Sequence, residues 1–331
     1  MNPAQKIVMM FIACQLLAIL AGVTLIESAK IVPEIKEISV SPIDNPEDPL
    51  NAVFFLGYVL AGAAGVLLVI RFTKTRLLFF ALEFMVLSGS VWILALGLLH
   101  ASGFFTLDDE IIYSALFGFL FACAKLFQPK LKNIAAVMSS AGVGALFGFS
   151  VGFIPALLFI IGISVYDYVA VFFTRHMLKL STALGTSDLS FTVTASSSPQ
   201  KQKPLPQQMA FMQQSASGAH STLPKSSQAK PLSSHPHPIP SSANPSTHSD
   251  DYSGMERLDL GSGDLAMPAM LAVAAYPVAG IIGSLAVAAG ATISLYLLLD
   301  IVIHKRVALP AMPPISLGAL FALFIVMLLG I

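Results

Sequence analysis

Nine apolar stretches of about 20 residues run through the chain, and they limit its fold more than any other feature. They lie at about 7–27, 51–70, 77–99, 110–127, 133–150, 152–173, 260–280, 281–303 and 309–330. A segment of that length in hydrocarbon must satisfy its own backbone, and an α-helix does so through bonds within the segment. The pattern therefore predicts an all-α integral membrane protein with nine transmembrane helices. The first stretch has a short polar start, as a signal peptide does. It is long for an h-region and lacks a small-residue cleavage site, so it counts as a span.

Basic residues set the orientation, because short loops rich in Lys and Arg stay cytoplasmic. Lys6 precedes the first span; Arg71, Lys74 and Arg76 follow the second; Lys130 and Lys132 follow the fourth; Arg175 and Lys179 follow the sixth; Lys305 and Arg306 follow the eighth. The opposite loops are poor in basic residues, and Lys30 and Lys36 sit among acids such as Glu34, Glu37 and Asp44. The expected topology places the amino terminus in the cytoplasm and the carboxyl terminus outside. Net charge is zero, and only 11% of residues are charged, so no global field draws nucleic acid. Cys14 and Cys123 stand in apolar runs without zinc or redox spacing and read as small buried hydrophobes. Neither a metal nor a cofactor is expected.

Between spans six and seven the composition turns to Ser, Pro, Gln and His. Such a segment cannot bury enough apolar surface to fold. The expected organisation is a six-helix part over 1–180, a flexible cytoplasmic loop over 181–256 and a three-helix part over 257–331. His220, His235, His237 and His248 are irregularly spaced among prolines, which favours a solvated linker over a metal site. Two pieces of the loop stand out. Leu189, Phe191 and Val193 alternate with Ser190, Thr192 and Thr194, the period of a strand whose edge is able to pair with an extended peptide; a disordered Ser/Thr stretch fits equally well. Met209-Ala210-Phe211-Met212 is apolar between glutamines.

Ionisable side chains at membrane depth are costly, which makes each a functional candidate. Asp300 lies one turn from His304 and Lys305 and suits local pairing, while Glu83 lies near the basic end of span three and suits helix pairing. Asp167 and Asp264 differ. Asp167 is eight residues before Arg175 and Asp264 seven after Arg257, so both lie roughly 10 to 12 Å inside the cytoplasmic boundary. If their helices touch, the two carboxyls cannot both ionise cheaply and one proton is shared. That supplies an acid and a base at one place, the chemistry of aspartic proteolysis. Gly261-Ser262-Gly263 precedes Asp264, and Pro268 follows, so the helix is loosened where water and an extended peptide would enter. Pro310-Ala311-Met312-Pro313-Pro314 begins the last span on the same side and is expected to expose backbone carbonyls to a peptide.

At these residues the chain resembles the presenilin and signal peptide peptidase family of intramembrane aspartyl proteases. Tyr166-Asp167 resembles the family's Tyr-Asp in helix six, Gly261-Ser262-Gly263-Asp264 its Gly-x-Gly-Asp in helix seven, and Pro310-Ala311-Met312 its Pro-Ala-Leu at helix nine. The resemblance implies that Asp167 and Asp264 are the catalytic pair, that Tyr166 shapes the site, and that Pro310, Ala311 and Met312 support substrate and geometry. Met312 stands where the family has leucine, which implies weakened rather than abolished function. The amino-inside orientation resembles presenilin, whereas signal peptide peptidases are inverted. The family also implies transmembrane peptide substrates in the lipid bilayer, a self-cleavage region near Phe211 and Met212, and homo-oligomers or accessory subunits as partners.

Three other readings compete. Gly148-Phe149-Ser150-Val151-Gly152 fits the G-x-S-x-G pattern of a nucleophile elbow but joins two spans, and Gly144, Gly148 and Gly152 read better as close helix packing. A zinc protease lacks its H-E-x-x-H. A transporter or cation channel remains the alternative, because paired intramembrane aspartates also line ion pathways.

Overall fold

The computed structural model describes residues 2–72, 76–104, 106–169, 192–196, 257–305 and 310–330. The chain divides into two compact units, Met1–Ser197 with Arg257–Ile331, and Ser198–Glu256. The second unit, with Met209–Met212 and the four loop histidines, lies outside the described residues.

The first unit is mostly helical: α1 Pro3–Ala29, α2 Leu50–Phe72, α3 Arg76–Ser102, α4 Leu107–Phe127, α5 Lys132–Ser150, α6 Phe153–Val169, α7 Ser262–Ala274, α8 Tyr276–Lys305 and α9 Met312–Leu329. Two strands, β1 Thr192–Ser196 and β2 Arg257–Gly261, form an antiparallel pair. Among the described residues, six helices are long and apolar enough to cross a membrane: Pro3–Ala29, Phe80–Ser102, Leu107–Phe127, Pro129–Ser150, Tyr276–His304 and Met312–Leu329. Leu50–Gly62, Phe153–Val169 and Ser262–Ala274 are apolar but shorter. The ninefold span count is thus met in full length by six. The seventh stretch is shorter because its helix begins only at Ser262, and the sixth is described as far as Val169.

The seventh stretch also differs in kind. A helix was expected from residue 260, but Arg257–Gly261 is extended and the helix starts at Ser262. The strand expected near 189–194 is found as Thr192–Ser196, and it is paired with β2 rather than isolated. Between α7 and α8 the chain turns at Ala275, and α8 itself is broken at Ala279 and Gly280, where φ is +61° at Gly280.

Helix α7 sits at the centre. Leu265, Ala266 and every residue from Pro268 to Ala274 are buried, as expected of a helix that is apolar all round. It packs against α1, α5, α6, α8 and α9. Gly144 and Gly148 of α5 permit this closeness: a Cβ on Gly144 would lie 2.7 Å from Cβ of Ala269, and one on Gly148 would lie 2.5 Å from Cβ of Val273. Gly152 has another reason. A Cβ there would lie 2.4 Å from the carboxyl carbon of Glu47, whose two oxygens accept the N–H groups of Phe153 (3.2 Å) and Ile154 (3.3 Å) and so cap α6. Ser150 is buried and its hydroxyl accepts the Val40 N–H at 3.0 Å, which is no nucleophile's setting. Outward-facing Leu16, Val53, Phe117, Ile293 and Phe321 give the bundle an apolar exterior. Inside it, Glu83 of α3 and Lys125 of α4 form a buried ion pair, whereas Asp300 meets His304 at 3.3 Å on the exposed surface. Cys14 is fully buried, whereas Cys123 is only partly so.

Candidate active site

Two helix starts and one stretch of α6 converge on one place. Asp167 lies two residues before Val169, the last described residue of α6, Asp264 is in the first turn of α7, and Met312 is the first residue of α9. Helices α6, α7 and α9 pack on one another in all three pairings. The Asp167 carboxyl and the Asp264 carboxyl are close enough for the charge of the first to act on the second. Both are partly buried.

The local sequence explains how each acid is held. Asp264 is the third helical residue of α7, and its carboxyl reaches back to the backbone N–H of Gly261, the helix cap, as the acid of a capping box does. A side chain at 261 would crowd this contact, since a Cβ there would lie 3.2 Å from Asp264 Oδ2. Gly263 is different: among the described residues, nothing beyond its own helical turn lies within 4 Å of the Cβ position, so the space over it is open. Pro268 has no N–H to offer the Asp264 carbonyl one turn earlier. The Ser262 carbonyl accepts the Ser140 hydroxyl at 3.0 Å, which ties the start of α7 to α5.

On the other side, the Met312 N–H donates to Asp167 Oδ2 at 3.3 Å. The proline-rich start therefore meets Asp167 through a donated N–H, a contact separate from the carbonyls expected to face a peptide. Pro310 and Met312 are buried, and Ala311 and Tyr166 pack against the main core. Below this contact, the Ser164 and Ser316 hydroxyls meet at 2.7 Å, with Ile160 O and Met312 O as further acceptors. Two hydroxyl protons serve these three contacts, and α6 is joined to α9 when one of the two hydroxyls donates to the other.

A cavity of about 130 Å³ opens beside Gly263, lined by Ser139, Ser140, Ser262 and Glu83. A larger one of about 400 Å³ adjoins it through Val143, Ala266 and Met267 and is walled by aromatic side chains such as Phe55, Phe147 and Phe159.

The sequence profile described as "Signal-peptide peptidase, presenilin aspartyl protease" matches residues 8–202, more than half of the chain. The chain belongs to this family of aspartyl proteases. The family is integral to membranes, in keeping with the apolar helices. Two solved structures share the fold of this presenilin-family chain. "Structure of a presenilin family intramembrane aspartate protease in C222 space group" has a TM-score of 0.56 at 20% identity, covering 99% of each chain. Its counterpart in P2 space group gives 0.56 and 20%, covering 98% of this chain and 97% of that one. No curated protein matches the chain.

One element of this family member's site escaped the sequence. Asn133, at the start of α5, donates from Nδ2 to the Thr194 carbonyl at 2.8 Å and accepts the Thr194 N–H on Oδ1 at 3.0 Å. Its amide thus serves β1 as a third strand would at that level. No signal marks Asn133 in the sequence, because the partner lies 61 residues away.

Proposed function

We propose that this chain hydrolyses peptide bonds of transmembrane helices inside the membrane, with Asp167 and Asp264 jointly activating a water. The observation that supports the reading is that α6 and α7 pack together and bring Asp167 near enough for its charge to act on Asp264. One carboxyl holds the proton and polarises the scissile carbonyl, while the ionised one takes a proton from water. The tetrahedral intermediate then collapses as the leaving amine is protonated. Tyr166, Gly261, Ser262, Gly263, Pro310, Ala311 and Met312 shape the site around the pair.

A peptide reaches such a pair only when extended, because a helix buries its carbonyls in its own hydrogen bonds. The β1–β2 pair lies next to Gly261 and offers a template for an added strand. Asn133 occupies the outer edge of β1 at Thr194, so the peptide adds on the β2 side. The open space over Gly263 supports a peptide backbone running there.

In this reading the chain crosses the bilayer nine times, amino terminus in the cytoplasm and carboxyl terminus outside, as a six-helix part over 1–180, a loop over 181–256 and a three-helix part over 257–331. Its partners are transmembrane peptides and the lipid bilayer, with further copies or accessory subunits. Cleavage of a bilayer-embedded peptide by the purified chain, lost in Asp167→Ala and in Asp264→Ala, is the expected result. Cation flux that needs both acids, with no cleavage, would replace this reading with the channel.

A further inference from the structure

Two polar contacts between α6 and α9 lie along one seam. In one, the Met312 N–H donates to Asp167 Oδ2 at 3.3 Å; in the other, the Ser164 and Ser316 hydroxyls meet at 2.7 Å. Ser164 is three residues before Asp167 on α6, and Ser316 is four after Met312 on α9. Residues three or four apart share a helix face, so the serines stand one turn from the acid and from the N–H that meets it. At 1.5 Å per residue the two contacts are about 5 Å apart.

The protons decide what the serine contact does. Each hydroxyl has an acceptor in its own helix, the Ile160 carbonyl at 2.6 Å for Ser164 and the Met312 carbonyl at 2.7 Å for Ser316. If both donated there, two oxygens would face each other at 2.7 Å with no proton between them. One hydroxyl therefore donates across the seam and the other within its helix. Ser316 is 3% exposed, so the bond across is sheltered. The contact at Asp167 has little slack by comparison. At 3.3 Å it is already longer than a usual N–H···O bond, and a slip of α9 by a few tenths of an ångström would break it.

We propose that Ser164 and Ser316 are positioning residues for Asp167, their hydroxyl bridge holding the start of α9 where the Met312 N–H reaches the carboxyl. The effect on rate rests on the proteolytic reading; the effect on the Met312 amide does not.

The full chain in nanodiscs is compared with Ser164→Ala, Ser316→Ala and the double variant. Each single change leaves the remaining serine the carbonyl of its own helix, so no buried hydroxyl is stranded and the chain folds. Hydrogen exchange at the Met312 amide quickens about fivefold in each. For a bilayer-embedded peptide kcat falls on the order of tenfold with KM unchanged, because the carboxyl and not the peptide's seat is displaced. The double variant is no worse than either single one, since each removes the whole bridge. Ser164→Thr keeps the hydroxyl and restores both the exchange rate and kcat. Losses that multiply in the double variant overturn the proposal, as does parental kcat in either alanine variant of a chain that cuts, or Met312 exchange that ignores both serines. A parent chain that cuts no peptide, while its Met312 exchange answers to both serines, overturns the proteolytic reading and leaves the bridge standing.

Discussion

Gly263→Ala separates what the fold needs from what the reaction needs. The backbone of Gly263 is helical and not in the left-handed region, so an L-residue fits it without strain. Among the described residues, the added methyl meets nothing within 4 Å beyond its own helical turn. Exchanging glycine for alanine at a compatible helical site stabilises a protein by about 0.5–1 kcal/mol, through the lower entropy of the unfolded chain. The variant should therefore resist denaturant at least as well as the parent. Its activity should fall nonetheless. If a peptide backbone runs through the open space next to Asp264, a methyl there displaces the scissile carbonyl by about 1 Å, and a misplacement of that size costs on the order of 100-fold in rate. The assay is kcat/KM for a bilayer-embedded peptide that the parent cuts, beside a denaturant titration of the same preparation.

Gly261→Ala is the control with the opposite cause. At φ −65° and ψ 145° its backbone also suits alanine, but the methyl would lie 3.2 Å from Asp264 Oδ2. The carboxyl has to shift by a few tenths of an ångström, so kcat should fall more than KM rises. A Gly263→Ala chain that gains stability and keeps full kcat/KM would refute the path of the peptide over that residue, whatever Gly261→Ala does.

Three further outcomes follow from the geometry. Asn133→Leu removes both bonds to Thr194 at similar volume; hydrogen exchange at the Thr194 amide should quicken, and KM for a peptide should rise more than kcat falls. Lys125→Met leaves Glu83 charged and buried and should cost about 3–5 kcal/mol in denaturant titration, most of it recovered when Glu83→Leu is added. The pH dependence of kcat should be bell-shaped, because the pair works with one proton between two carboxyls; a rate that climbs steadily to high pH would count against shared-proton chemistry.

Much of this was legible in the sequence for a simple reason. An apolar run of about 20 residues has few ways to exist, and an acid inside one is rare enough to be noticed. Strand β2 was also legible and was missed: Leu258 and Leu260 alternate with Arg257, Asp259 and Gly261, but Arg257 passed for the edge of a helix. Gly152 shows the reverse error, since its place in a four-residue glycine repeat suggested helix packing and its actual neighbour is the Glu47 carboxylate. The Ser164–Ser316 contact and the Glu83–Lys125 pair join residues 152 and 42 positions apart, and no local pattern encodes such pairings.

The start of α9, expected to support a substrate, also acts on an acid. A helix begins with four N–H groups that no residue within it accepts, and at most ends they are free for any partner. Here two of the four are missing, because Pro313 and Pro314 have none, and the Ile315 N–H makes the first bond inside the helix, to the Ala311 carbonyl at 3.4 Å. Of the two that are left, those of Ala311 and Met312, the Met312 N–H meets Asp167. The prolines thus act by subtraction, and they also stiffen the turn from which that one donor is aimed. Because the donor belongs to the backbone, the exchange of leucine for methionine at this position leaves the hydrogen bond intact. The Met312 side chain is 4% exposed within the main core, so the exchange bears on packing, where a swap of such similar volume costs under about 1.5 kcal/mol. The departure from the family pattern therefore falls on stability rather than on the acid pair.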